Sequence, residues 1–183
     1  MEKSIAVSIG HNPPRDYGFQ KKGKAEYFYN ASVAIELQKE LYENEYIVYY
    51  PHGSLKTKVD MINHLFKPEI AVEIHHNSNS RKMEKGAEII YHPTSIQGKI
   101  LAEKILKEME YRGFETGGIF KGYYRYDKTK GYFYFTSKTN MPAVIIECAY
   151  MTNADDFAVM NEIDYFRKMA HAIYRGIENY VED

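Results

Sequence analysis

The sequence predicts an α/β layered fold built on a largely parallel sheet, and three observations predict it. Short apolar runs recur along the chain, each closed by Gly, Pro or a polar cluster. Between them lie segments whose apolar residues repeat at helical spacing. The 183 residues, without internal repeat, low-complexity tract or linker, suit one domain spanning 1–183.

The elements follow in order. "IAVSIG" (Ile5–Gly10) reads as a buried strand ended by glycine. "HNPPRDYG" is a loop, because two prolines and a glycine do not fit a regular element. From about Lys24 the period changes, and Val33, Ala34, Leu37 and Leu41 mark an amphipathic helix. Tyr46–Tyr50 is a second strand, closed by Pro51. "KVDMINHLF" forms a short helix carrying Val59, Ile62, Asn63 and Phe66. "EIAVEIHH" is a third strand and "GAEIIYH" a fourth. Thr94 as N-cap, with Gln97 at the third helical position, makes a capping box for a helix through Leu101, Ile105 and Met109. "GYFYF" and "AVIIECAY" are further strands, and Asn153 caps a helix with Asp156 three residues on. A last helix starts at about Asp164 and uses Phe166, Met169, Ala170, Ile173 and Ile177.

Composition narrows the function. Hydrophobic residues make up 44% of the chain, enough for a core without disulfides, and the single Cys148 reads as core packing. A net charge of −1 excludes a dominant nucleic-acid footprint. No apolar run approaches the roughly 20 residues of a membrane span. The start of the chain carries no signal-peptide pattern, so a wall-acting protein of this sequence is expected to be a phage-released lysin or a fragment of a longer chain. The tract "KGYYRYDKTKGYFYF" is the most unusual. Tyr124 and Arg125 are candidates to line a substrate groove, and an exposed loop is the alternative.

Titratable residues gather at strand ends. His11 follows the first strand, His75 and His76 close the third, and Glu147 follows "AVII". If those strands run parallel, the groups share the carboxyl edge of the sheet, where open α/β folds bind ligands. Glu26, at the head of the first helix, starts near the same edge. Two histidines and a carboxylate with an open position make a catalytic zinc set, and a second carboxylate can move the water proton. The spacing is dispersed, so bland readings stay open at this point. They are hydrogen-bonded loop histidines, a helix-terminus charge at Glu26, and an ion-paired Glu147.

At these residues the chain resembles the zinc-dependent N-acetylmuramoyl-L-alanine amidases of the amidase-3 type, over nearly its whole length. Gly10-His11 fits the Gly-His pair that ends the family's first strand, and Glu26 fits its helix-head Glu. Ile62-Asn63 stands at its Ala-Asn pair, and "EIHHN" (Glu73–Asn77) at its Ser-Ile-His-Ala-Asn pattern. "MPAVIIECAYMTNADDF" matches its closing motif. The resemblance implies a twisted mixed sheet flanked by helices on both faces. It implies zinc held by His11, Glu26 and His75, and Glu147 as catalytic acid/base. His75 takes the ligand position and His76 that of a small residue; strand parity agrees, since the two point to opposite faces. Asn63, His76 and Asn77 join Tyr124 and Arg125 as candidate substrate contacts. The implied reaction is cleavage of the amide between N-acetylmuramic acid and L-alanine. The implied partner is peptidoglycan, with no nucleic acid, no membrane and a monomeric state expected. The chain departs from the family in four places: Asn12 and two prolines reshape the first loop, Lys58 stands where the family has Arg, which loses a planar bidentate donor, Glu73 where it has Ser, and Cys148-Ala149-Tyr150 where it has Gly-Phe after the Glu. The rival functions are another zinc amidohydrolase or peptidase on the same scaffold, and a non-catalytic wall-binding module.

Overall fold

The sheet decides where everything else lies. In the computed structural model, which describes residues 3–80, 83–122 and 132–183, β1 (Ser4–Ile9) is followed by a two-stranded hairpin of β2 (Gln20–Lys21) and β3 (Lys24–Ala25). The strands β4 (Ile47–Tyr49), β5 (Ile70–Asn77), β6 (Ala87–Tyr91), β7 (Thr116–Lys121) and β8 (Ala143–Tyr150) complete the main sheet with β1, in the order β4-β1-β5-β8-β6-β7. β4, β1, β5 and β8 run parallel. β6 lies antiparallel to β8, and β7 parallel to β6. The sheet is thus mixed and largely parallel.

Alternation along the strands gives the sheet two apolar faces. Ile5, Val7, Ile70, Val72, Ile74, Val144 and Ile146 face one side. There they meet the buried stripes of α1 (Glu26–Glu43), α3 (Ile96–Tyr111) and α6 (Tyr165–Val181), the helical periodicities read from the sequence. Cys148 belongs to this core. Ala6, Ala71, Ile90 and Ile145 face the other side, against Val59, Ile62 and Phe135. Those residues come from α2 (Leu55–Asp60), a π-helical turn (Met61–Phe66) and α4 (Tyr134–Lys138).

α3 and α6 approach closely at Gly176, where an added Cβ would stand 2.3 Å from the Cα of Ile105. Backbone cannot yield as a flexible side chain does. Gly176→Ala is therefore expected to destabilise the protein by about 1–3 kcal/mol, read as a lowered thermal midpoint.

Three sequence expectations change. The cap of α3 is Ser95, not Thr94: its Oγ accepts from Gly98 N at 2.9 Å, and Gln97 becomes the second helical residue. The adjacent hydroxyls compete for the same role, and the one nearer the helix holds it. The "GYFYF" strand is absent among the described residues, since Tyr134 and Phe135 open α4. A short aromatic run carries no period of its own, and burial of Phe135 in the second core decides the outcome. Conversely β7, "TGGIFK", was hidden by its glycines. Gly117 is required there, because a Cβ would come within 2.8 Å of the Glu88 side chain. Asn153 does cap α5 (Ala154–Val159), accepting from the backbone N of Asp155 and Asp156.

Candidate metal centre and active site

Because β1, β5 and β8 are parallel, their carboxyl ends share one edge, and the structure brings four of the expected residues together there. His75 and Glu147 are direct partners across β5 and β8. His11 follows the end of β1 in a left-handed conformation (φ 70°). Glu26 is the first residue of α1 and is buried, 5% exposed. A surface charge answering the helix dipole would not be buried so deeply, so that bland reading of Glu26 does not fit.

One ligand atom each from His11, Glu26 and His75 lies within 4.8 Å of the others. Glu26 Oε1 is 2.8 Å from His11 Nε2 and 3.1 Å from His75 Nδ1. Burial would raise the pKa of Glu26, but the two histidines more than offset it and hold the carboxyl far below the usual carboxylate range. Nε2 of His11 is buried and makes no hydrogen bond despite the nearby carboxylate. An orphaned imidazole nitrogen facing a shared carboxylate, with a second imidazole beside it, fits a zinc ion in donor type and number.

Each histidine has a carboxylate on its far nitrogen. His11 Nδ1 lies 2.7 Å from Asp16 Oδ2, and Asp16 Oδ1 accepts from Gly18 N at 2.9 Å. His75 Nε2 lies 3.4 Å from Glu73 Oε2. Metal-binding imidazoles characteristically carry such partners. Asp16 was missed in the sequence; the signal available was an acidic residue five positions after His11, inside the same loop.

The loop is shaped by glycines. A Cβ on Gly10 would sit 2.4 Å from the His75 ring, and one on Gly18 (φ +70°) 2.5 Å from His11 Nε2 and 2.6 Å from Glu26 Oε2. Glu26 is braced from behind, accepting from Phe19 N, His76 N and Asn30 Nδ2 at 3.2, 3.3 and 3.4 Å.

Glu147 completes a cavity of about 370 Å³ whose other walls include His11, His75, Phe133, Tyr134 and Phe135. Burial pushes its pKa up to about 7; the charge of His75 pulls down, and Glu26 and Glu88 push further up. Its Oε2 is buried without a hydrogen bond. The group is therefore a carboxyl able to change protonation near neutrality.

His76 turns to the opposite face of β5 and is 1% exposed. Its Nδ1 lies 2.8 Å from Asn30 Oδ1 and its Nε2 3.0 Å from the Tyr165 hydroxyl. Since Asn30 Oδ1 only accepts, Nδ1 donates and Nε2 accepts, as in a neutral ring. Burial, which holds its pKa down at about 3, agrees. The substrate contact expected of His76 is replaced by this packing role, because the ring has no surface to offer. Asn63 donates to Lys138 O and accepts from Asn140 N, tying the π-helical turn to the end of α4. Asn77 accepts from Ser78 N and donates to Glu88 at 3.4 Å. Tyr124 and Arg125 lie outside the described residues.

Comparison with known proteins adds an independent line. A family model described as N-acetylmuramoyl-L-alanine amidase matches residues 5–179. N-acetylmuramoyl-L-alanine amidase LytC of Bacillus subtilis (strain 168) is 30% identical over 115 residues, covering 61% of this chain; the chain spans only 21% of that relative's length. An N-acetylmuramoyl-L-alanine amidase of Clostridium difficile 630 superposes with a TM-score of 0.87 at 22% identity, covering 100% of this chain and 98% of its own. The catalytic domain of the amidase CwlV from Bacillus (Paenibacillus) polymyxa var. colistinus gives 0.85 at 24%, covering 98% of each. At such identities the two structures speak for the fold. With the match over residues 5–179, the chain belongs to the N-acetylmuramoyl-L-alanine amidase family.

Proposed function

We propose that this protein is a zinc-dependent N-acetylmuramoyl-L-alanine amidase acting on the cell wall. It hydrolyses the amide between the lactyl group of N-acetylmuramic acid and the L-alanine of the stem peptide. The observation that carries the reading is the convergence of His11, Glu26 and His75 within 4.8 Å beside Glu147. His11, Glu26 and His75 would hold the zinc ion, which when bound acidifies a water molecule and polarises the scissile carbonyl.

Glu147 takes the proton from the attacking water as the new C–O bond forms. It then returns that proton to the departing nitrogen as the C–N bond breaks, leaving a lactyl carboxylate and a free amino terminus on alanine. A pKa near 7 suits both halves of the task. Phe133, Tyr134 and Phe135 give the cavity an apolar wall, which limits bulk water around the reacting groups. Asp16 fixes the ring orientation of His11.

The test is digestion of purified peptidoglycan with the metal-loaded protein and identification of the new termini by mass spectrometry. Peptides that begin with L-alanine, lost on chelation and restored by zinc, are the expected result. A new terminus at another peptide bond would assign the site to a peptidase reaction. Intact peptidoglycan after digestion with demonstrably metal-loaded protein would overturn the substrate.

A further inference from the structure

Beneath the metal centre lies a second set of buried polar groups. Lys58, Glu73 and Ser8 are 4%, 3% and 0% exposed. Glu73 Oε2 lies 3.4 Å from His75 Nε2, the edge of the ring opposite the Nδ1 that faces Glu26. Its Oε1 accepts from Ser8 Oγ at 3.0 Å and faces Lys58 Nζ at 3.6 Å. Lys58 Nζ also donates to the backbone carbonyl of Ile9 and, at 2.9 Å, to that of His11. One ammonium therefore reaches both the turn that carries His11 and the carboxylate behind His75.

A buried ion pair is weak evidence for stability, because desolvating both charges costs as much as their attraction returns. The placement is better explained by what it orients. Lys58 and Glu73 face each other, so the two act as one pair. A carboxylate at 73 needs a cation. Lys58 supplies it from a flexible stem while keeping donors for the two carbonyls.

We infer that Glu73 and Lys58 are positioning residues for the two histidine ligands. Glu73 accepts the Nε2 proton of His75 and so leaves Nδ1 as the nitrogen offered to the metal. Lys58 neutralises Glu73 and clamps the left-handed turn at His11 through its carbonyl. The inference rests on the metal reading above. It extends that reading to a specific way in which this chain aims its ligands.

The experiment titrates the metal-free full chain with Zn²⁺ against a chromophoric chelator. A parallel titration with Co²⁺ reads ligand geometry from the visible absorption bands, and circular dichroism and melting follow the fold. Glu73→Gln keeps the size of the side chain and a partner for Ser8. It is expected to weaken Zn²⁺ binding about 10–100-fold and to alter the Co²⁺ bands. Ser8→Ala removes one hydrogen bond to Glu73 without enlarging anything, and covers the case in which Glu73→Gln does not fold. It is expected to weaken Zn²⁺ binding several-fold. Parent-like Zn²⁺ affinity and Co²⁺ bands in the folded variants, with only the melting temperature moved, would make the pair purely structural and overturn the inference. A parent protein that binds neither ion would overturn the metal reading and this inference together. A parent that binds while the variants bind equally well would overturn this inference alone.

Discussion

Glu147→Gln is expected to lower kcat/KM on peptidoglycan by about 10²–10⁴-fold, the range associated with a positioned general acid–base. Zinc affinity and fold should persist, because Gln fills the same space on β8 and Glu147 is not one of the three clustered ligands. The variant carries a second, thermodynamic signature. Burial raises the Glu147 pKa from 4.5 to about 7. In the metal-free protein the native state therefore keeps a proton that the unfolded chain has lost. The stability this group contributes is present at low pH and falls as pH rises from about 4.5 to about 7. Gln cannot ionise and escapes that loss. Metal-free Glu147→Gln should gain stability over the parent between pH 5 and pH 8, by on the order of 2 kcal/mol. Melting curves at the two pH values check this. Parallel curves for parent and variant would show that Glu147 is not held in a proton-retaining environment.

The second large effect belongs to a residue without a side chain. Gly18→Ala would place a Cβ 2.5 Å from His11 Nε2 and 2.6 Å from Glu26 Oε2, at φ +70°. The left-handed conformation costs a non-glycine residue about 1–3 kcal/mol, and the clash falls on two of the three proposed metal ligands. Displacing a reacting constellation by an ångström costs on the order of 10²-fold in rate. Gly18→Ala is thus expected to lose at least that much activity, with a matching loss of zinc affinity. Gly10→Ala should do the same through the His75 ring, 2.4 Å away. Gly23→Ala is the control: it shares a positive φ of +75°, but nothing lies within 4 Å of its added Cβ. Zinc binding by the three variants separates backbone strain from collision with the ligands. Equal binding in all three would refute the steric account.

Much of this was legible in the sequence. The apolar runs of β1, β5 and β8 and the periodic stripes of α1, α3 and α6 carry strong local signals, and burial on both faces of the sheet keeps them consistent. Parallel order then placed His11, His75 and Glu147 on one edge, and parity separated His75 from His76. What was hidden depends on contacts between distant positions. Asp16 and Glu73 lie against histidine rings, and although an acidic residue in the first loop and a Glu in place of Ser were visible, their pairing with the two rings was not. In β7 the two central glycines have different reasons: a Cβ on Gly117 would meet the Glu88 side chain of the partner strand at 2.8 Å, and Gly118 holds a positive φ of +108°. α4 shares its aromatic run with a plausible strand, and only burial of Phe135 distinguishes them.

The buried chain behind Glu26 has a consequence for how the protein comes into being. Asn30 joins Glu26 to His76, and His76 joins Tyr165, the first residue of α6. The cluster of candidate metal ligands is therefore buttressed by α6, which lies far along the chain from β1, α1 and β5. The segment from β1 to β5 carries all three of the clustered donors, but not the buttress behind the carboxylate among them. The three donors can therefore gather before their brace is in place, and the carboxylate is held among them only once α6 has docked against β5.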